Sequence, residues 1–247
     1  MAMTGYILAG LGGLAVGSFL NLIITRLSQA EPLLNQFARC PHCRRPLAWR
    51  LLIPLLGYAW SRGRCPGCGE PLPWRHPAVE AVSGLLAVVL WWRLPGNALL
   101  LFYAPFFAAL LLLSVLDLQY YWLPDVITLP GTAWGLAGAL LCPQLDLRQA
   151  LGGAFLGYAF FRLVGWAYEK MTRGKRSGLG GGDAKLLAFI GAVLGLQALP
   201  WVLFSSAVLG SLAGLVVAFR SSEGRLASIP YGPFLAAGAL LFFWVRI

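Results

Sequence analysis

The stretch ALLLFYAPFFAALLLLSVLD at residues 98–117 decides the fold, because it is a long apolar run that ends in an aspartate. About 20 apolar residues cross the hydrocarbon core of a bilayer as an α-helix. A second aspartate, Asp183, closes the glycine-rich run at residues 178–182 and precedes another apolar run. An ionisable side chain at a membrane edge is costly unless it faces protein or water. Asp117 and Asp183 are therefore candidate functional residues, and together they suggest a pair.

The composition places the whole chain in a membrane. Hydrophobic residues make up 59% of the 247 residues, charged residues only 11%, and the mean hydropathy is +0.73. Soluble domains contain about 25% charged residues, so we expect an integral membrane protein. We predict an all-α polytopic fold with about eight transmembrane helices. The predicted spans are roughly 5–25, 78–94, 98–116, 125–142, 149–168, 184–200, 201–219 and 231–247.

The basic residues indicate the orientation. Residues 1–25 carry no charge, and Arg26 is the first basic residue. Since cytoplasmic loops are enriched in Lys and Arg, the N-terminus is predicted outside and residue 26 onward in the cytoplasm. The net charge of +10 follows from these loops, so we do not expect nucleic-acid binding. The lipid bilayer is the expected partner of the basic loops, because anionic headgroups attract them.

The polar stretch at residues 28–77 contains an internal repeat. Cys40 and Cys43 enclose Pro and His, and 25 residues later Cys65 and Cys68 enclose Pro and Gly. In each half, two thiolates three positions apart point at one centre, and four thiolates complete a tetrahedral zinc site. The spacer of 21 residues between the halves slightly exceeds the usual range. We therefore predict a small cytoplasmic zinc-binding domain between the first two transmembrane helices.

The same four cysteines also allow a redox pair or a disulfide framework. The predicted topology places their loop in the reducing cytoplasm, where disulfides are rare, and this favours structural zinc. A shell of four thiolates has no open position for a substrate. The zinc is therefore expected to stabilise the loop and to take no part in catalysis.

The predicted topology brings Asp117 and Asp183 to the same membrane level, because the third and fifth spans both run towards the cytoplasm. The glycines before Asp183 allow a positive φ and a close approach of the backbone. An extended substrate could lie along such a backbone through main-chain hydrogen bonds. The alternative is a flexible linker that ends in Asp183 as the N-cap of the sixth helix.

Two further carboxylates lie near predicted helix ends. Asp125 follows Pro124 and is well placed to cap the fourth helix, so it ranks below Asp117 as a catalyst. Glu80 follows Pro77 in the second span. It could orient a loop or meet a substrate amine, but a glutamate in a first helical turn is also favoured by the macrodipole.

Several motifs, taken in order along the chain, resemble those of a known protein family. The shared motifs are Gly17-Ser18-Phe19-Leu20-Asn21 with Arg26, the two cysteine knuckles, Arg75-His76-Pro77-Ala78-Val79-Glu80, Asp117 with Leu123-Pro124-Asp125, and Gly180-Gly181-Gly182-Asp183 followed by Lys185. The chain is similar to the type IV prepilin peptidases, which are membrane aspartyl proteases with a GxGD motif. The resemblance implies that Asp117 and Asp183 are catalytic. It implies substrate-binding or supporting roles for Gly180, Gly182, Lys185, Asp125 and Glu80.

The resemblance implies an enzyme of the bacterial inner membrane that removes the basic leader from type IV prepilins or pseudopilins. Cleavage in this family follows a glycine on the cytoplasmic side of the substrate. Many members also methylate the new N-terminal residue with S-adenosylmethionine. The expected domains are a first transmembrane helix at 1–27, a zinc-binding domain at 28–77 and a seven-helix protease domain at 78–247.

Two other classes of protein fit parts of the pattern. A proton-coupled transporter also uses intramembrane carboxylates, but it is expected to place them near the midplane and to repeat its spans. A non-enzymatic factor for pilus or secretion assembly would use the zinc-binding loop to dock a partner. The chain lacks a strand followed by a glycine-rich nucleotide loop, so methyl transfer is expected from the resemblance alone.

Overall fold

The computed structural model describes residues 2–29, 40, 43, 45, 51, 53–142, 146–171, 180–220 and 229–246. These residues form nine α-helices and no β-strand, so the all-α prediction is confirmed over this part of the chain. The helices are α1 Ala2–Ser28, α2 Leu56–Trp60, α3 Arg75–Arg93, α4 Leu99–Tyr120, α5 Asp125–Leu141, α6 Leu147–Met171, α7 Gly181–Leu194, α8 Ala198–Arg220 and α9 Gly232–Arg246.

Within the described residues, four segments are long and apolar enough to cross a membrane: Met3–Ser28, Leu99–Tyr120, Leu147–Met171 and Ala198–Phe219. Helices α5 and α9 are apolar but shorter. Helix α7 has 14 residues and at ~1.5 Å per residue is shorter than the ~30 Å core of a bilayer. Eight membrane crossings therefore stay a prediction.

The sixth span was predicted to reach residue 200, and this boundary is wrong. Helix α7 ends at Leu194 because Gly195 adopts φ +84°, which an α-helix does not accommodate. Helix α8 then begins at Ala198. The apolar sequence continues through this break, so hydropathy alone could not locate it.

The chain forms two compact units, residues 1–112 and 113–247. In the first unit, α1 packs against α3 through glycines. A Cβ added to Gly13 would lie 2.5 Å from the Cβ of Ala87, and one added to Gly17 would lie 2.6 Å from the Cα of Glu80. The two backbones approach closely because these positions lack side chains, as in other membrane helix pairs. The predicted domain boundaries after residues 27 and 77 stay predictions.

The second unit is built around α7. Residues 186–193 of this helix are buried on all sides, and α5, α6, α8 and α9 contact it. A helix that is apolar all round is expected at such a central position. A Cβ on Gly157 of α6 would lie 2.7 Å from the Leu187 carbonyl oxygen, and one on Gly135 of α5 would lie 2.9 Å from the Ala192 Cβ. This packing determines where the N-terminus of α7, with Asp183, lies in the second unit.

Candidate active site

Asp117 lies in the last turn of α4 and is only 6% exposed. Its Oδ2 accepts a hydrogen bond of 2.7 Å from the backbone N–H of Gly232, the first residue of α9. The first N–H groups of a helix have no partner within the helix, and the helix dipole favours negative charge there. The N-terminus of α9 therefore holds the Asp117 carboxylate.

Helix α4 extends past the apolar run, so Asp117 lies within the helix. The N–H of Tyr121 closes the last turn on the carbonyl oxygen of Asp117 at 2.9 Å. Tyr121 has φ +52°, a left-handed conformation that is uncommon for a residue other than glycine. It turns the chain away from α4 into the segment at residues 122–124, which leads to α5.

Asp183 is the third residue of α7 and is partly buried. It lies close enough to Asp117 for the two carboxyl groups to repel each other when charged. The structure therefore brings the two predicted catalytic residues together. The alternative role of Asp183 as an N-cap is wrong, because Gly180 occupies that position and no side chain caps the helix.

The glycines before Asp183 allow a close approach but do not adopt a positive φ. Gly180 has φ −62° and ψ 138°, which any residue can adopt. A Cβ added to Gly182 would lie 2.9 Å from the Cβ of Leu123, whereas one added to Gly181 would meet nothing within 4 Å. Gly182 is therefore required for packing. Residues 178 and 179 of the glycine-rich run lie outside the described residues.

Asp125 pairs with Lys185, two residues after Asp183. The lysine Nζ lies 2.6 Å and 2.7 Å from the two carboxylate oxygens. The side chain of Asp125 is 55% exposed and that of Lys185 is 29% exposed. The prediction that Asp125 caps its helix is wrong, since Pro124 is the N-cap and no side-chain cap bond forms. The ion pair neutralises Asp125 and connects the first turn of α5 with the second turn of α7.

Glu80 belongs to the first unit and is buried on α3. Its Oε2 accepts a hydrogen bond of 2.8 Å from the backbone N–H of Leu55, which has φ +61°. Helix α3 begins at Arg75 and has no acid in its first turn, so the macrodipole does not explain Glu80. The observed contact is with the loop at Leu55. Contact with a substrate amine stays a prediction.

The four cysteines form a candidate metal site. Their sulfur atoms all lie within 4.8 Å of one another. The distance from Cys40 Sγ to Cys68 Sγ is 3.8 Å, and that from Cys43 Sγ to Cys65 Sγ is 3.9 Å. A tetrahedral zinc ion with Zn–S bonds of ~2.3 Å requires sulfur atoms about 3.8 Å apart. The size and donor set of the cluster therefore fit zinc.

The two cysteine knuckles repeat the same backbone bond. The N–H of Cys40 donates to the carbonyl oxygen of Arg45 at 3.0 Å, and the N–H of Cys65 donates to that of Glu70 at 2.8 Å. The Gly67 N–H also points at the Cys65 sulfur, at 3.4 Å. The N–H groups of Gly67 and Cys68 lower the pKa of Cys65 to about 6, which favours the thiolate. His42 lies outside the described residues.

Sequence reasoning missed Gly232, although it is the hydrogen-bond partner of Asp117. One sequence signal was present: Pro233 follows it, and proline is common in the first turn of a helix. That pattern indicates where α9 starts. It contains no information about which carboxylate the start of the helix would meet.

Comparison with known proteins places the chain among peptidases. Residues 11–94 match the family described as Bacterial Peptidase A24 N-terminal domain, and residues 104–215 match the Type IV leader peptidase family. The chain is 39% identical to the prepilin leader peptidase/N-methyltransferase of Burkholderia pseudomallei strain 1026b, over 94% of this chain and 83% of that protein. It is 38% identical to the protein of the same name from Aeromonas hydrophila, over 94% and 88%. The relative from Klebsiella pneumoniae is 41% identical, over 78% and 86%. No solved structure matches.

Proposed function

The chain belongs to the type IV leader peptidase family, and we propose that it is an aspartyl endopeptidase of the bacterial inner membrane that removes the leader from type IV prepilins or pseudopilins. Family membership supports a protease that processes prepilins. The observation that carries the aspartyl mechanism is the proximity of Asp117 and Asp183. The N–H of Gly232 holds the first of these carboxylates in place.

In the proposed mechanism the two carboxyl groups share one proton, because two close carboxylates in an apolar site do not both ionise. The ionised member takes a proton from water, which then attacks the scissile carbonyl carbon. The protonated member donates its proton to the carbonyl oxygen, which gives a tetrahedral intermediate. Its C–N bond then breaks as the carboxyl group that took the proton from water gives a proton to the leaving nitrogen, and the hydroxyl proton returns to the other carboxylate. Asp117 is the better candidate for the ionised member, since the N-terminus of α9 stabilises negative charge there. No covalent intermediate forms.

The neighbouring residues have supporting roles in this proposal. Lys185 neutralises Asp125, so this carboxylate stays paired while the other two share a proton. Gly180 is exposed and its backbone is extended. An extended substrate segment can lie along such a backbone through main-chain hydrogen bonds. Gly182 allows α7 to start close enough to Leu123 to place Asp183.

We place the N-terminus outside and the active site at the cytoplasmic side, with cleavage after a glycine of the substrate. The charge distribution around Arg26 supports this orientation. The expected partners are the prepilin and the bilayer. Family membership removes the support for the transporter and for the non-enzymatic assembly factor.

We further propose that Cys40, Cys43, Cys65 and Cys68 bind one structural zinc ion. We also propose N-methylation of the newly exposed residue, with S-adenosylmethionine as the methyl donor. The names of the relatives include this activity, and no residue of the chain is assigned to it. Zinc would stabilise the loop that carries the four thiolates.

Conservative substitution of the aspartates tests the proposed function. Asp117→Asn and Asp183→Asn should each lower cleavage of a prepilin in membranes by roughly a thousandfold or more, since each removes a proton donor or acceptor from the reaction. Asp146→Asn is the control, because Asp146 lies before α6, where its Oδ1 accepts a hydrogen bond from the Arg148 N–H. Cleavage retained in either aspartate variant would remove that residue from the mechanism.

The methyl-transfer proposal needs a separate assay. Purified protein is incubated with already cleaved pilin and S-adenosylmethionine carrying a labelled methyl group. Label is expected on the N-terminal residue of the pilin, in the wild type and in Asp117→Asn alike. Active cleavage without label would leave a peptidase alone.

A further inference from the structure

Three residues outside the carboxylate pair form a continuous set of contacts that ends at Asp117. Ser206 is completely buried in α8, although most of that helix is apolar. Its Oγ lies 2.8 Å from the hydroxyl oxygen of Tyr231. Tyr231 directly precedes Gly232, whose N–H donates to Asp117. The proposed function uses neither hydroxyl group.

The direction of the bond between the two hydroxyls follows from the number of protons. Ser206 Oγ donates to the carbonyl oxygen of Leu203 at 3.0 Å, and a hydroxyl has only one proton to donate. With Ser206 donating to Leu203, the hydroxyl of Tyr231 is the donor to Ser206. This direction matters because removal of the Tyr231 hydroxyl leaves Ser206 still paired, whereas removal of the Ser206 hydroxyl leaves the tyrosine donor without this acceptor.

Tyr231 is held at three points. Its hydroxyl bonds to Ser206. Its ring packs edge-on against Phe161 of α6, with 5.8 Å between centroids. Its carbonyl oxygen accepts the N–H groups of Phe234 and Leu235, which close the first turn of α9. The position of Tyr231 thus determines where the first turn of α9 begins.

The contact between the start of α9 and Asp117 leaves no free space. A Cβ added to Gly232 would lie 2.8 Å from the Asp117 Oδ2 and 3.3 Å from its Cβ. The carboxylate therefore touches the backbone of Gly232 directly. Any displacement of the first turn of α9 must move or release the carboxylate.

We propose that Ser206 and Tyr231 are positioning residues for the peptidase reaction, which act by aiming the N–H of Gly232 at the Asp117 carboxylate. The inference rests on the proposed function and adds to it two residues that do not touch the substrate. A displacement of about 1 Å in a reacting group can lower a rate by about a hundredfold. A single hydrogen bond that limits such movement is expected to change the rate less.

The test compares Tyr231→Phe, Ser206→Ala and the double variant by kcat and KM for cleavage of one prepilin. Tyr231→Phe should lower kcat by roughly three- to tenfold, the factor that one neutral hydrogen bond supplies, and should leave KM within about twofold. Ser206→Ala should lower kcat at least as much, since it leaves the tyrosine hydroxyl without this acceptor. The double variant should match Tyr231→Phe alone, because two residues that act through one bond are not additive.

Ser205→Ala is the matched control, because Ser205 lies next to Ser206 and its hydroxyl donates to the carbonyl oxygens of Trp201 and Val202 in its own helix. Its kcat should equal that of the wild type. An unchanged kcat in Tyr231→Phe, additive losses in the double variant, or an equal loss in Ser205→Ala would overturn the proposal. The wild type is assayed in the same membranes. Absence of cleavage by the wild type would contradict the proposed peptidase function. Wild-type cleavage that Tyr231→Phe leaves unchanged would contradict the positioning role alone.

Discussion

At the scale of single residues, the candidate active site depends on glycine positions that leave no space for a side chain. The motif Gly180-Gly181-Gly182-Asp183 corresponds to the GxGD pattern of the family, and its variable position is Gly181. A Cβ at Gly181 meets nothing within 4 Å, whereas one at Gly182 meets Leu123 at 2.9 Å. The packing against Leu123 thus gives a steric explanation for the second glycine of the pattern, Gly182, and for the tolerance of the variable position.

This difference gives a prediction for two adjacent alanine variants. Gly182→Ala should lower prepilin cleavage by about ten- to a hundredfold, because the start of α7 must move away from Leu123 and take Asp183 with it. Gly181→Ala should retain cleavage within about threefold, since the added methyl group has open space. Initial rates in membranes that contain equal amounts of each variant check this. Equal activities of the two variants would contradict the steric explanation.

The ion pair between Asp125 and Lys185 gives a second prediction at this scale. Lys185→Met leaves the Asp125 carboxylate without its cation and should lower cleavage by roughly two- to tenfold, in line with the modest energy of an exposed ion pair. Adding Asp125→Asn should restore most of the rate, because it removes the unpaired charge. Lys170→Met is the control, since Lys170 lies at the end of α6 over Trp166. A double variant no better than Lys185→Met would show that the lysine acts in another way.

At the scale of helices, α7 is positioned by small residues of its neighbours. Gly153 and Gly157 of α6 lie four residues apart and contact the backbone of α7 at Gly191 and Leu187. Such pairs let two membrane helices approach closely. Because α7 carries Asp183 at its N-terminus, the crossing with α6 also determines the position of that carboxylate.

Overpacking at this crossing should destabilise the protein. Gly153→Ala is expected to lower the free energy of unfolding by about 1–3 kcal/mol, since the methyl group would meet backbone atoms of α7. Gly152→Ala should change it little, because its Cβ would lie 3.5 Å from the side chain of Leu196, an ordinary contact. Thermal unfolding in detergent compares the two. A larger loss from Gly152→Ala would mean that α6 faces α7 differently.

At the scale of the whole molecule, the described part of the chain combines apolar helices with one cluster of four cysteines. The two cysteine pairs come from sequence positions 25 apart and form matching backbone bonds. A metal that joins them would link the two halves of the loop within the first unit. Of the five cysteines, only Cys142 lies outside the cluster.

The metal content of the purified protein tests this assignment. We expect about one zinc ion per chain in the wild type, and a loss of most of it in Cys40→Ser and in Cys65→Ser. Cys142→Ser should keep the full content, because its thiol is not part of the cluster. Chelation should lower the midpoint of thermal unfolding of the wild type. Full zinc content in Cys40→Ser would contradict a site of four thiolates.

Much of the molecule could be predicted because the deciding signals are local. Long apolar runs predict helices, and the paired cysteines predict a metal cluster, whichever way the chain packs. Helix ends were less predictable: hydropathy continues through Gly195, where only the backbone conformation ends α7. Asp125 was predicted as a cap because the preference for such residues at helix starts is local, whereas its pairing with Lys185 depends on two helices distant in sequence.

The sequence by itself determined that the chain is a helical membrane protein, that four cysteines form one cluster, and that Asp117 and Asp183 are the candidate pair. Each conclusion follows from residue type and spacing along the chain. Only the tertiary structure decided that α7 is enclosed by its neighbours, that Gly182 packs against Leu123, and that the first amide of α9 holds Asp117. These contacts join residues far apart in sequence, and they arise from the fit between helix surfaces, which no local pattern encodes.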